Sequence, residues 1–166
     1  MLKMFKNKKG MTLTELVVVM AVLSVLAAVA MPVVRFSVKR VKESELKRDL
    51  REMRDAIDYY KKLSDEGMVQ KEAGGTGYPK TLDILVEGVT LQNPPIVVPG
   101  MPQLPAQKKY RFLRKIPVDP MTGKAEWGMR SNEDEPDSTV WGGQDVFDVY
   151  SLSEGSALDG TKYADW

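Results

Sequence analysis

The chain has no cysteine among its 166 residues, so a disulfide-stapled fold is excluded. It has no histidine either, which excludes imidazole catalysis and histidine-ligated zinc. It also lacks a net excess of charge. Lys+Arg number 24 and Asp+Glu 23, for a net charge of +1, so there is no nucleic-acid signature. The length allows one domain, or a small domain with an appendage.

The near-neutral total hides segregation along the chain. Residues 1–10 hold Lys3, Lys6, Lys8 and Lys9 and no acid, and residues 11–34 hold only Glu15. Residues 35–63 hold ten basic and six acidic groups, and residues 64–166 hold ten basic and sixteen acidic. A basic head, an apolar span, a basic stem and an acidic globular part is a membrane-organised layout. The expected boundaries are 1–10 for the head, 11–34 for the apolar span, 35–66 for the stem and 67–166 for the globular part.

From Leu16 to Val34 nineteen consecutive residues carry no charge. As a helix at ~1.5 Å per residue they cover about 28 Å, close to the roughly 30 Å of a bilayer's hydrocarbon core. The run is apolar on every face, unlike a surface helix of a soluble domain. The lysines ahead of it favour a cytoplasmic N-terminus, with the rest of the chain across the membrane. A secretory signal peptide competes with this reading, because Ala28-Val29-Ala30 has the small-x-small pattern of a cleavage site. Against it, the apolar run continues beyond Ala30 and merges with a helical stem.

Glu15 stands at the rim of this span, where an ionised group costs at least about 2.5–3.5 kcal/mol and calls for a partner. One explanation is local. Thr12-Leu13-Thr14-Glu15 matches a capping box, and a helix start favours a carboxylate. The other comes from the residues before it, Lys8-Lys9-Gly10-Met11-Thr12-Leu13-Thr14-Glu15. This segment resembles the type III signal sequence of type IV prepilins and type II secretion pseudopilins: a short basic leader ending in Gly, then an apolar helix with Glu as its fifth residue.

That resemblance implies cleavage between Gly10 and Met11 by a membrane aspartic protease, the prepilin peptidase, which also N-methylates Met11. Glu15 then becomes fifth in the mature chain. Pro32 becomes twenty-second, where the family commonly has a helix-bending proline; a tolerated proline in any membrane helix is the plain alternative. Met11 departs from the usual Phe. The ammonium of Met11 and the carboxylate of Glu15 are complementary charges in low dielectric. The expectation is that Glu15 registers each incoming copy against its neighbour, and pairing within one chain competes with it.

Arg35 to Glu66 contains neither Gly nor Pro. Val38, Val41, Leu46, Leu50, Met53, Ile57 and Tyr60 recur at helical spacing, which predicts one apolar face. Glu43/Lys47 and Asp58/Lys62 are acid-first i,i+4 pairs, and Gly67 is a stop signal. Span and stem together predict one helix of about 50 residues, roughly 80 Å long. Its second half can pack on the globular part; its first half needs lipid or copies of itself.

In the globular part, Gly74-Gly75-Thr76-Gly77-Tyr78-Pro79 is a loop without the Lys-Ser/Thr of a phosphate loop. Thr81 is a candidate cap for a short helix bearing Leu82, Leu85 and Val86. Five prolines between residues 93 and 105 predict an irregular crossing loop. Strands are expected over 110–116, 125–130 and 145–152, separated by the turn Pro117–Gly123 and a solvated acidic loop at 131–138. They are expected to form one small antiparallel sheet against the stem, with Trp127, Phe147 and Val149 in the core.

Tyr78-Pro79 with Thr81-Leu82, Ile116-Pro117-Val118-Asp119-Pro120, Asp148-Val149-Tyr150-Ser151 and the terminal Asp-Gly…Trp166 look like the major pseudopilin of type II secretion. The proline-rich stretch 90–108 lies outside this resemblance. The family's fold is α+β and type IV pilin-like, a long N-terminal helix with a membrane half and an amphipathic half packed on a small antiparallel sheet. The resemblance implies a non-enzymatic structural subunit in the bacterial inner membrane, single-pass, with a cytoplasmic N-terminus and a periplasmic C-terminal domain. Assembly would move it into a periplasmic pseudopilus that helps export folded proteins. The implied partners are copies of itself, minor pseudopilins, prepilin peptidase and an inner-membrane assembly platform; no nucleic acid is implied. The resemblance also implies Ca2+ in the C-terminal loop, with Glu154 and Asp159, then Asp165, as side-chain ligands. Ser153-Glu154 stands where the family has Gly-x-Asp, and an acidic surface tail closed by turns and Trp166 is the alternative. A type IV pilus-like or minor pilin subunit, and a membrane-anchored periplasmic binding domain, are the competing functions.

Overall fold

The computed structural model describes residues 10–71, 74–92 and 109–166. Residues 1–9 of the basic head and the five clustered prolines lie outside the described residues. The chain divides into two compact units, Met1–Arg40 and Val41–Trp166. One helix, α1, spans Leu13–Asp65, and it is followed by small antiparallel sheets.

In the first unit α1 is apolar and uncovered. Leu16, Val17, Val18, Met20, Val22, Leu23, Val25 and Leu26 are all exposed. The helix is long and apolar enough here to cross a membrane.

In the second unit α1 buries one stripe. Leu46, Leu50, Met53, Ile57, Tyr60 and Leu63 are all buried, at spacings of four and three that keep them on one face. The stripe starts later than its spacing predicts, since Val38 and Val41 are exposed. The helix ends as predicted at Gly67, whose φ of 71° is open to glycine. Met68 N donates to Leu63 O at 2.9 Å and Gly67 N to Ser64 O at 3.1 Å, the paired bonds of a Schellman motif.

Helix α2 (Leu82–Glu87) buries Leu82 and Leu85 against that stripe. Thr81 holds the N-cap position with extended backbone, but its side chain makes no cap hydrogen bond. Strand β1 (Val89–Thr90) pairs antiparallel with β2 (Lys109–Tyr110). The strand expected over 110–116 is cut short at Tyr110. The amides of Phe112 and Leu113 both donate to Leu85 O instead, so the chain turns onto the end of α2.

Strand β3 (Trp127–Arg130) pairs antiparallel with β4 (Asp148–Ser151), Trp127 opposite Ser151 and Arg130 opposite Asp148. Two separate two-stranded sheets thus replace the single sheet expected. Trp127 and Val149 join the core, but Phe147 does not. It is 44 % exposed and meets Tyr78 edge-on at 5.2 Å. The Val146 amide donates to Pro79 O, while the Phe147 amide donates to Arg130 O at the end of β3, so regular pairing of the strand expected over 145–152 starts only at Asp148.

Two buried carboxylates organise the loops. Asp119, fully buried, accepts from Met121 N at 2.7 Å and from Ser151 Oγ at 2.6 Å, fixing the Pro117–Gly123 turn. Asp145 accepts from Ser131 Oγ, Asn132 N and Thr76 Oγ1. It thereby joins the glycine-rich loop to the acidic loop, which is an ordered structure and not merely a solvated one.

Candidate functional site

The N-terminal site is built on the first turn of α1. Thr12 precedes the helix. Its Oγ1 accepts from Glu15 N at 3.2 Å, and its carbonyl accepts from Leu16 N at 3.1 Å. This is one half of the capping box. The returning half is not formed: among the described residues, no hydrogen bond or ion pair engages the Glu15 carboxylate. The cap therefore positions the Glu15 backbone and leaves its side chain open, exposed one turn into the helix.

Gly10 is not required by packing, since a β-carbon there would meet nothing within 4 Å. Met11 is 61 % exposed and Leu13 79 % exposed. Helix α1 continues through Pro32, whose nitrogen cannot donate to the carbonyl four residues back.

The C-terminal segment is organised by charged residues of the stem, among them Glu43 and Lys47, which sequence reasoning read as an i,i+4 pair, and by Arg130 of β3. Glu43 Oε1 accepts from Leu158 N at 2.9 Å and from Tyr163 Oη at 3.0 Å. Burial first, and then the hydrogen bond to Glu43, push the Tyr163 hydroxyl up to about 12. Lys47 Nζ lies 4.0 Å from the centre of the Trp166 ring, a cation–π contact. Arg54 donates to Asp148 Oδ1 at 2.6 Å, to Val149 O at 3.0 Å and to Trp166 O at 2.6 Å. Arg130, 3.6 Å from the other Asp148 oxygen, donates to Ala164 O. No motif marks these residues. For Lys47 and Arg54 the signal was an excess of cations on the stem opposite an acidic globular part.

The three acids proposed as calcium ligands are not brought together. Asp159 is engaged locally: its Oδ1 accepts from Thr161 Oγ1 at 2.7 Å and Thr161 N at 3.0 Å, which holds its carboxyl below the usual range. Asp165 lies in a 3-10 turn, Tyr163–Asp165, and Glu154 is exposed. Among the described residues no group of three His, Cys, Asp or Glu is arranged to hold a metal ion. The residues present do not fit a calcium site.

The profile described as the prokaryotic N-terminal methylation motif matches residues 5–31, the segment that contains Gly10, Met11 and Glu15. Along the whole chain, the type II secretion system core protein G of Pseudomonas aeruginosa is 29% identical over 168 residues, covering 97% of this chain and 96% of that protein. The chain thus carries a prepilin-type methylation motif and is similar along nearly its whole length to a type II secretion core protein G. No solved structure matches it. The methylation motif and the exposed first turn of α1 coincide, and the likeness to core protein G extends over the globular part as well.

Proposed function

We propose that this chain is a pseudopilin, a structural subunit of a type II secretion pseudopilus, cut by prepilin peptidase between Gly10 and Met11 and methylated on the new Met11 amine. The observation that carries it is the methylation-motif match over the segment where nothing crowds Gly10 and, among the described residues, no side chain pairs with the Glu15 carboxylate. A glycine that nothing crowds is explained by an enzyme that must reach the backbone on either side of it.

Assembly follows from the physics of the apolar face. Each exposed Leu or Val on α1 gains roughly 1.5–3 kcal/mol on leaving water. Lipid provides that gain as well as another helix does, so apolar area alone does not select a neighbour. A polar pair at the rim does. The Met11 ammonium of one subunit and the Glu15 carboxylate of the next are each costly alone in a low dielectric and mutually neutralising together. The subunit sits in the inner membrane with a cytoplasmic N-terminus and a periplasmic globular domain, and enters the fibre through an assembly platform alongside minor pseudopilins. No catalytic step is assigned to this chain.

The absence of native cysteine makes the test clean. Two cysteines per chain, at exposed α1 positions such as Val18 and Val25, should give oxidised ladders beyond the dimer when the secretion machinery is expressed. Monomer alone under those conditions would rule out a polymerising subunit.

A further inference from the structure

We propose that the C-terminal segment 153–166 is latched to the protein by Glu43, Arg54, Arg130 and Lys47, and that no divalent cation takes part in its closure. Three observations carry this. First, the segment is tied at several points by groups far away in sequence. Glu43 takes the Leu158 amide and the Tyr163 hydroxyl. Arg54 takes the Trp166 carbonyl while gripping Asp148, and Arg130 takes the Ala164 carbonyl. The segment also closes on itself, through Ala157 N to Thr161 O at 2.7 Å and the bridge between Ser156 and Lys162.

Second, three of the oxygens a hard cation would recruit are already in use. Calcium takes about six to eight oxygens, many of them backbone carbonyls. The Ala164 and Trp166 carbonyls face guanidinium groups, and Asp159 Oδ1 is held by Thr161. Third, the electrostatics are wrong for a second cation. Lys47 sits over Trp166, and its charge adds to the hold on the Asp159 carboxylate. A divalent ion near Trp166 would meet the fixed charges of Lys47 and Arg54. Here side-chain cations hold carbonyls of the segment, and the Arg54 bond to Trp166 O, at 2.6 Å, has the short length of a charge-assisted bond.

The test is hydrogen exchange by mass spectrometry on the full chain in detergent, stripped with EGTA and then returned to millimolar calcium chloride. Amides in 153–166 should exchange at the same rate in both states, with the melting temperature unchanged. Glu43→Ala should speed exchange at Leu158 by about tenfold, the scale of one lost bond to a charged acceptor. Tyr163→Phe, which keeps the ring and removes only the hydroxyl, should act in the same direction and covers the case in which Glu43→Ala does not fold. Protection that appears only with calcium would overturn the proposal. So would a melting temperature that rises by more than about 4 °C on adding calcium, the mark of a ligand that binds the folded state alone. Wild-type exchange rates in both variants would also overturn it. None of these readouts depends on fibre assembly.

Discussion

Gly128 of β3 lies opposite Tyr150 of β4, and the phenol ring covers it so closely that a β-carbon on Gly128 would sit 2.2 Å from Tyr150 Cζ. The ring in turn carries Arg130, whose guanidinium carbon is 4.2 Å from its centre. Gly128→Ala should therefore displace Tyr150 and loosen Arg130. Overpacking of this kind costs about 1–3 kcal/mol. A thermal melt should show a fall of several degrees, and a melt within 1 °C of wild type, as a rough threshold, would contradict the packing described.

Asp145 ties two loops together, and its removal should release both. Asp145→Ala removes the acceptor of Thr76 Oγ1, the Asn132 amide and Ser131 Oγ, and strands the last of these, since Ser131 is buried. Each unsatisfied buried group costs about 1–3 kcal/mol. Hydrogen exchange should rise in 74–80 and in 131–138 in the same variant. A rise in one loop alone would show that Asp145 does not couple them.

The pH dependence has two limbs. Lys61 and Lys71 hold the Asp65 carboxyl below its usual range, the amides of Ser131 and Gly142 do so for Asp134, and Thr161 does so for Asp159. Groups with lowered values stabilise the fold above the ordinary carboxylate value near 3.9, and that stability is lost as pH falls through the lowered values. Tyr163 behaves in the opposite way. Its hydroxyl is raised to about 12, so its contribution is complete below about pH 10 and is lost as pH climbs toward about 12. The melting temperature should be flat between about pH 5 and 9 on this account, and Tyr163→Phe should shrink the alkaline limb, leaving the shares of Tyr78 and Tyr110, whose hydroxyls are also raised. An alkaline limb unchanged in that variant would contradict the assignment.

Much of this architecture was legible in the sequence because it rests on periodicity and local chemistry. Leu46 to Tyr60 repeat at helical spacing, Gly67 is the residue a Schellman motif needs, and Thr12 is the residue a helix start needs. What stayed hidden depended on partners distant in the chain. Glu43 and Lys47 look like one i,i+4 pair on a wet face, yet they engage Tyr163 and Trp166. The strand expected beyond Tyr110 fails because the Leu85 carbonyl claims the next amides, a competition that no local pattern records. Phe147 alternates correctly for a core strand but lies before β4 begins. The acids of the tail carry a family resemblance without the family's spacing, and the structure keeps them apart.

Glu15→Ala separates folding from assembly. The Glu15 carboxylate is exposed, so surface-type substitution there should change stability by no more than about 0.5 kcal/mol. Cleavage at Gly10 should persist, while cysteine-linked ladders and secretion should fall to background. Normal ladders from the Ala variant would remove Glu15 from the assembly contact.

The central claim is processing between Gly10 and Met11 to create the amine that Glu15 meets. Intact-mass spectrometry of the protein taken from its native membrane tests it most directly. The expected mass is that of a chain beginning at Met11 and carrying one added methyl group. A chain that still begins at Met1, or begins beyond Ala30, would contradict it.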